Sequence, residues 1–337
     1  MILACLVAMS NPAFASPPLR ILAWEGYADP DVVDSFSKKY QVQVEVTIVT
    51  SDDELWERIN KNQGRDYDIF AVNTAELSRY IQANLVQPIY TDRINHLKNQ
   101  HSIFSPLSKV SGLVRNGHVY AIPYTYSTMG LIYNRDLVQS TPDSMQAMWD
   151  PRYQGKVLFY DGSAHNFSVA ALASGLKHPF QLDRTEIRRM AKKLVELRRN
   201  SLTFYQSVED AVRLFKENQI ALIYGNYGTQ QLKALRDMGA NVGYIIPKEG
   251  ALAWLDCWAI TRLSHQFRLA ETWIDFTLEK MPSDVLAQRH GLSNTTEVDL
   301  IKPDRSGRII WLEPVESPET RQLLWERIMA GDRLERF

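Results

Sequence analysis

Asp256 lies in an apolar run, Trp254-Leu255-Asp256-Cys257-Trp258-Ala259-Ile260, where a carboxylate is out of place unless a charged group meets it. Strand alternation puts Trp254 and Asp256 on one face. A ring and a carboxylate side by side suit a cation. The acid pairs with the charge, and the ring face adds roughly 0.5–2 kcal/mol by cation–π attraction while sheathing methylenes. An ammonium buried without such partners costs on the order of several kcal/mol. The cation that meets Asp256 belongs either to a ligand or to a structural Arg or Lys of the chain. A second aromatic and acidic set, Trp24-Glu25-Gly26-Tyr27, closes the short apolar run Arg20–Ala23. Rings on strands commonly pack cores, but a strand end beside Glu25-Gly26 points to a site.

Strands and helices with short joints position these groups. After Trp24 a helix opens at Asp29 or Pro30, with Val32, Val33 and Phe36 on one face. Val42–Ile48 alternates as a strand, and Ser51-Asp52-Asp53-Glu54 has capping-box spacing ahead of the stripe Leu55, Trp56 and Ile59. Tyr67–Val72 is a third strand. Strand, helix, strand, helix, strand with short joints predicts right-handed crossovers and a mostly parallel sheet. Ligands bind such sheets beyond the carboxyl ends of the strands, here Trp24–Tyr27 and Asn73-Thr74. Farther on, strands are expected at 130–134, 157–160, 220–224, 242–247 and 254–260. Helices are expected at 184–199, after Ser207, and through most of the remainder to Phe337. The loop Gly225-Asn226-Tyr227-Gly228 serves either as a plain turn or as part of a site.

With 337 residues, 45% of them hydrophobic and 23% charged, the chain suits two lobes of ordinary domain size. A formal net charge of −1 argues against nucleic acid as a partner. There is no GxSxG, Walker A loop, GxGxxG or HExxH, so no nucleophile–base set is visible and an enzyme is not expected. No cofactor is expected. The scattered histidines have neither HxxxH nor CxxC spacing, so no metal site is expected either. Residues 1–15, MILACLVAMSNPAFA, read as a signal peptide with cleavage after Ala13-Phe14-Ala15 and without a charged n-region. Ile2-Leu3-Ala4-Cys5 offers a second reading, lipid attachment at Cys5. Export follows from either, the alternative being a buried N-terminal segment, and with only Cys5 and Cys257 present no internal disulfide is expected after cleavage.

Trp24-Glu25-Gly26-Tyr27, Tyr67-Asp68-Ile69-Phe70, Tyr120-Ala121-Ile122-Pro123-Tyr124, Tyr133-Asn134, the stretch Trp149–Lys156 and Pro247–Gly250 running to Asp256 occur in one order. Over residues 20–300 this series resembles the spermidine/putrescine-binding periplasmic proteins of bacterial ABC transporters. The resemblance implies a periplasmic binding protein type II fold: two α/β lobes with mostly parallel sheets, joined by two crossover strands and closing on ligand. One lobe would comprise 16–124 with 257–300 and the other 125–256, with 301–337 as a C-terminal helical segment packing on them. It also implies a monomer that hands a small amine to a membrane permease; a membrane sensor is the rival partner.

Carried over by position, Trp24 and Tyr27 stand at the family's first aromatic pair, and Trp254 and Asp256 at a later aromatic and acidic pair. Tyr126 falls just after the first crossover, where a cleft residue is expected. The chain departs at Gly26, where an aspartate is usual, at Asn226 and Thr229 for a Trp and an Asp, near Ala164 and His165 for an acid, and at Asn73 for a serine. Glu25 and Asp161 are possible substitutes. The expected ligand-binding set is therefore Trp24, Glu25, Tyr27, Asn73, Tyr126, Asp161, Asn226, Tyr227, Trp254 and Asp256. With Asp256 the one carboxylate carried over directly, a small zwitterion or quaternary amine of the ω-amino acid type is the alternative to a polyamine. A ferric ion held by Tyr224 and Tyr227 is a further one.

Overall fold

The computed structural model describes residues 17–296, 309–333 and 337. The segment 1–15 read as a signal, with Cys5, and residues 297–308 lie outside the described residues.

The opening pattern folds as its periodicity requires. β1 (Leu19–Ala23), β2 (Val44–Ile48) and β3 (Ile69–Asn73) pair in parallel around β1, linked by α1 (Pro30–Tyr40) and α2 (Asp52–Lys61). Val32 and Phe36 of α1 and Leu55 and Ile59 of α2 form buried i, i+4 pairs against the sheet. α3 (Thr74–Gln82) follows β3 without a loop, because the Asn73 side chain caps it by accepting the Glu76 N–H at 3.0 Å. Asp68 is fully buried and spent on the scaffold. It accepts from the Arg20 backbone at 3.0 Å, the Arg20 Nε at 3.1 Å and the Ser264 hydroxyl at 2.8 Å, riveting the base of the sheet.

After a small hairpin, β4 (Val114–Arg115) with β5 (His118–Val119), comes the long strand β6 (Ala121–Met129). β7 (Leu131–Asn134), β8 (Val157–Tyr160), β9 (Ser201–Tyr205), β10 (Leu222–Tyr224) and β11 (Val242–Ile245) make a second sheet in the order β11-β7-β10-β8-β9. Its helices are α4 (Ala164–Ala173), α5 (Arg184–Asn200), α6 (Val208–Glu217) and α7 (Thr229–Asp237). The chain returns to the first sheet on β12 (Ala251–Ile260), which pairs antiparallel with both β3 and β6. Each sheet thus has parallel strand–helix–strand units, with the antiparallel pairs contributed by the crossover strands and by β7.

The expected breaks at 124/125 and 256/257 fall inside β6 and β12. These strands stay paired from Leu252↔Met129 to Ala259↔Ala121, apart from a bulge between Asp256 and Cys257. The change of sheet comes instead at Gly130 and at 246–250. Gly130 suits that corner because an added Cβ would lie 2.5 Å from the Ile245 carbonyl, and its N–H donates to the Tyr244 hydroxyl at 2.9 Å. α8 (Phe267–Thr277), α9 (Lys280–His290) and β13 (Ser293–Asn294) complete the first lobe. The C-terminal segment, read as helical, includes a strand, β14 (Ile309–Trp311), parallel to β12. Then α10 (Pro318–Met329) packs on α4 and α5. Among the described residues no helix is long and apolar enough to cross a membrane.

Candidate functional site

The carboxyl ends of β1 and β3, the N-termini of α2, α3 and α4, and the inward face of β12 converge on a cavity of about 80 Å³ between the lobes. The lobes meet around it. The Tyr160 hydroxyl donates to the Thr50 carbonyl at 2.8 Å, the Ser163 hydroxyl to the Asp53 carboxylate at 2.9 Å, and the Gln230 amide to the Glu25 carbonyl at 3.3 Å.

Eight of the ten expected residues line this cavity: Trp24, Glu25, Tyr27, Asn73, Asn226, Tyr227, Trp254 and Asp256. Trp24 donates its indole N–H to the Ala71 carbonyl at 3.2 Å. Tyr27 buries its ring edge-on to Tyr124 and Trp258 and donates its hydroxyl to Asp256 Oδ2 at 2.5 Å. Trp254 donates from Nε1 to the Asn226 carbonyl at 3.0 Å, tying β12 to the second lobe. Tyr227 donates to the Gln206 carbonyl at 2.5 Å and stands edge-on to Tyr160. Asn73 serves twice, capping α3 with its oxygen and donating from Nδ2 to Asp52 Oδ1 at 3.0 Å.

Tyr126 and Asp161 do not join them. Tyr126 lies opposite Leu255 in the β6–β12 register, on the face turned away from Trp254 and Asp256, and packs on Phe104 and Trp311. Asp161 falls one residue beyond Tyr160, whose ring takes the cavity side. Its carboxylate faces an adjacent groove, where it accepts from the Trp325 indole at 2.8 Å and the Gln206 amide at 3.1 Å. The two tyrosines of the ferric reading are likewise apart. Tyr224 is buried, stacked on Phe159 at 4.7 Å with its hydroxyl on the Met129 sulfur at 3.2 Å, while Tyr227 lines the cavity.

Sequence reasoning missed the other carboxylates. Asp52, Asp53 and Glu76 line the cavity, with Arg79 as their cation. Burial, with the Glu76 and Asp256 charges, pushes the Asp52 carboxyl well above its usual range, against the pull of Arg79. Burial also raises Glu76, opposed by Arg79, and raises Asp53, opposed by its Ser163 hydrogen bond and by Arg79. Arg79 is held by Glu76 at 2.8 Å, by the Asp52 carbonyl at 3.2 Å and by stacking on Trp56. His165, also in the wall, is pushed down to about 3 by burial, then by Arg321 and Arg79, and is neutral near pH 7. The available signal was the capping box itself. Ser51 does cap α2, accepting from the Glu54 N–H at 3.1 Å. A helix that begins where a parallel strand ends presents its first turn to the ligand side of the sheet.

Asp256 is 6% exposed, and burial pushes its carboxyl up to about 7, opposed by the Tyr27 hydrogen bond. Among the described residues no ion pair joins it to a Lys, Arg or His, so the structural-partner reading finds no partner there. At Gly26 the structure explains the departure from aspartate. Its φ is +86°, and an added Cβ would sit 2.7 Å from the His290 ring, which is itself held to Asp29 at 2.8 Å. Gly26→Asp is expected to cost about 1–3 kcal/mol of stability rather than to supply a new ligand. Urea denaturation of the variant checks this, and an unchanged midpoint would refute the clash.

The family model for bacterial extracellular solute-binding proteins matches residues 31–284. A spermidine/putrescine-binding periplasmic protein of Haemophilus influenzae is 22% identical over 279 residues, covering 81% of this chain and 74% of its own. The putrescine-binding periplasmic protein SpuD of Pseudomonas aeruginosa is 24% identical over 291 residues, covering 82% and 78%. A solved structure of a Listeria monocytogenes protein assigned to a spermidine/putrescine ABC transporter superposes with a TM-score of 0.84. It is 18% identical and covers 94% of this chain and 100% of its own. The resemblance read from the ordered motifs is borne out, and with it the two-lobed type II fold.

Proposed function

The chain belongs to the bacterial extracellular solute-binding protein family, and from that premise we propose that it captures a polyamine or related small amine between its lobes for an ABC transporter. In this reading it is exported, with residues 1–15 as the signal segment, works as a monomer, and delivers its ligand to the membrane permease. The observation that carries the amine is Asp256: a buried carboxylate on a cavity wall that Trp24 and Trp254 also line, bonded to Tyr27, with no cation of the described chain against it. Asp52, Asp53 and Glu76 extend the demand. Among the described residues they, Asp256 and Glu25 put five carboxyl groups on the wall against the guanidinium of Arg79, a surplus that a ligand with more than one ammonium answers better than a zwitterion does. Aromatic rings sheathe the carbon chain between charges. The lobes close as hinged bodies, because a half-site on one lobe does not desolvate the ligand.

Calorimetry with a panel of polyamines, ω-amino acids and quaternary amines, repeated across pH, tests the reading. An ammonium favours the ionised form of Asp256, so binding expels a proton wherever that carboxyl is protonated. Affinity for an amine should therefore fall as pH drops through about 7, approaching tenfold per pH unit for each proton expelled. Ligand-free stability runs the other way. A carboxyl raised in the folded state contributes fully below the unfolded value of 3.8, and that contribution is lost as pH rises through about 7. A panel in which no amine binds, or binds equally well at pH 5 and pH 8, rejects the proposal.

A further inference from the structure

The C-terminal segment supplies a wall of the cavity that no sequence motif marks. Leu312 and Pro318 line it together with Met129 and Trp254. β14 runs alongside β12 from Ala251↔Ile309 to Ala253↔Trp311. The Leu312 N–H continues that pairing by donating to the Ala253 carbonyl at 2.8 Å. Leu312 is thereby carried to the level of Trp254, and it is 7% exposed.

The wall is braced beyond that point. The chain from 313 to 317 crosses to the second lobe, where the Gln181 amide donates to the Pro314 carbonyl at 2.9 Å and the Glu316 N–H to the Phe180 carbonyl at 3.1 Å. Ser317 caps α10, accepting from the Thr320 N–H at 3.2 Å, and Pro318 takes the first helical position. Arg321, one turn on, is fully buried and holds the Ala164 carbonyl at 2.6 Å and the Ser168 hydroxyl at 2.8 Å at the start of α4. A backbone fixed on both sides cannot retreat to admit a longer ligand, so the size of the side chain decides how much room remains.

We propose that Leu312, with Pro318 beside it on the cavity wall, gauges the length of the ligand's carbon chain. The carboxylates come from strand β12, from the turn after β1 and from α2 and α3, whereas the side chains of Leu312 and Pro318 offer neither charge nor hydrogen bond, and the Met129 sulfur is already taken by the Tyr224 hydroxyl at 3.2 Å. A terminal ammonium pressed against this apolar wall would lose its water without gaining a partner, which penalises any chain whose end reaches it. The inference rests on the amine reading above.

Competition calorimetry with straight α,ω-diamines of four to eight carbons tests it, on wild type, Leu312→Ala and Leu312→Phe. Leu312→Ala removes three carbon atoms and should move the preferred length up by one or two methylenes. Each newly buried methylene favours the longer diamine about fourfold, so the ratio of long to short should rise about tenfold. Leu312→Phe should move the preference the other way. If either variant fails to melt cooperatively, Leu312→Val and Leu312→Met give the same comparison with smaller shifts. An equal loss for every diamine, with ratios unchanged, overturns the gauge and leaves the amine reading standing. Failure of wild type to bind any diamine overturns the amine reading, and the gauge with it.

Discussion

Asp256→Asn is expected to weaken amine binding by about 2–5 kcal/mol, the range for removing one partner of a buried charge pair. The substitution keeps the shape of the side chain and leaves Tyr27 a hydrogen-bond acceptor at a position now 2.5 Å away. What it removes is the negative charge that a ligand ammonium meets after leaving water. The same variant should lose the proton release assigned to Asp256, so its remaining affinity should vary less with pH than that of wild type. Loss of a buried carboxyl that ionises near pH 7 should also leave the ligand-free protein no less stable at pH 8. Calorimetry on the folded variant is decisive: wild-type affinity would remove Asp256 from the site.

Arg321→Met is expected to lower the free energy of urea unfolding by about 3–5 kcal/mol, as for breaking a buried ion pair from one side. Arg321 has no exposed surface, and its guanidinium is fully used. Nε and Nη2 grip the Glu316 carboxylate at 2.9 and 2.7 Å, Nη1 holds Ala164 and Ser168, and Nη2 also reaches the Pro179 carbonyl at 3.2 Å. Methionine keeps much of the stem's packing but donates nothing, so the Ala164 and Pro179 carbonyls lose the guanidinium and Glu316 keeps only the Leu182 N–H at 3.1 Å. The loss should appear in a transition that includes α10 and the second lobe. A variant with the wild-type midpoint and slope would show that the cluster is replaceable by packing alone.

Local pattern accounts for much of what was legible. β1, α1, β2, α2 and β3 were readable because each has one buried and one wet face, which stamps a period of two or near 3.6 on the sequence. α4 was not, since Asn166–Ala173 are buried throughout and a helix buried all round carries no amphipathic period. β14 was missed because three residues, Ile309–Trp311, are too few to show alternation, and their strand character comes from lying beside β12. Among site residues, Asp256, Trp254 and Tyr27 were legible from an acid in an apolar run and rings at a strand end. Asp52 and Glu76 were not, because in sequence they look like ordinary first-turn acids of helices α2 and α3.

By itself the sequence determined that the chain alternates strands and helices, that its motifs run in the order of a solute-binding family, and that Asp256 is an acid set in an apolar run. These follow from residue type and short-range spacing, which chain connectivity preserves whatever the rest of the molecule does. Only the tertiary structure decided which side of each strand faces the cavity. Tyr126 and Asp161 were lost, and Asp52, Asp53 and Glu76 gained, because a one-residue change of parity reverses a side chain's direction and because helix N-termini reach the site only once the sheets have packed. It also decided that Leu312 and Pro318, about sixty residues beyond the last motif, form part of the wall, since the contact is made by β14 docking on β12 and Arg321 locking α10 to α4, pairings that neither strand nor helix encodes alone.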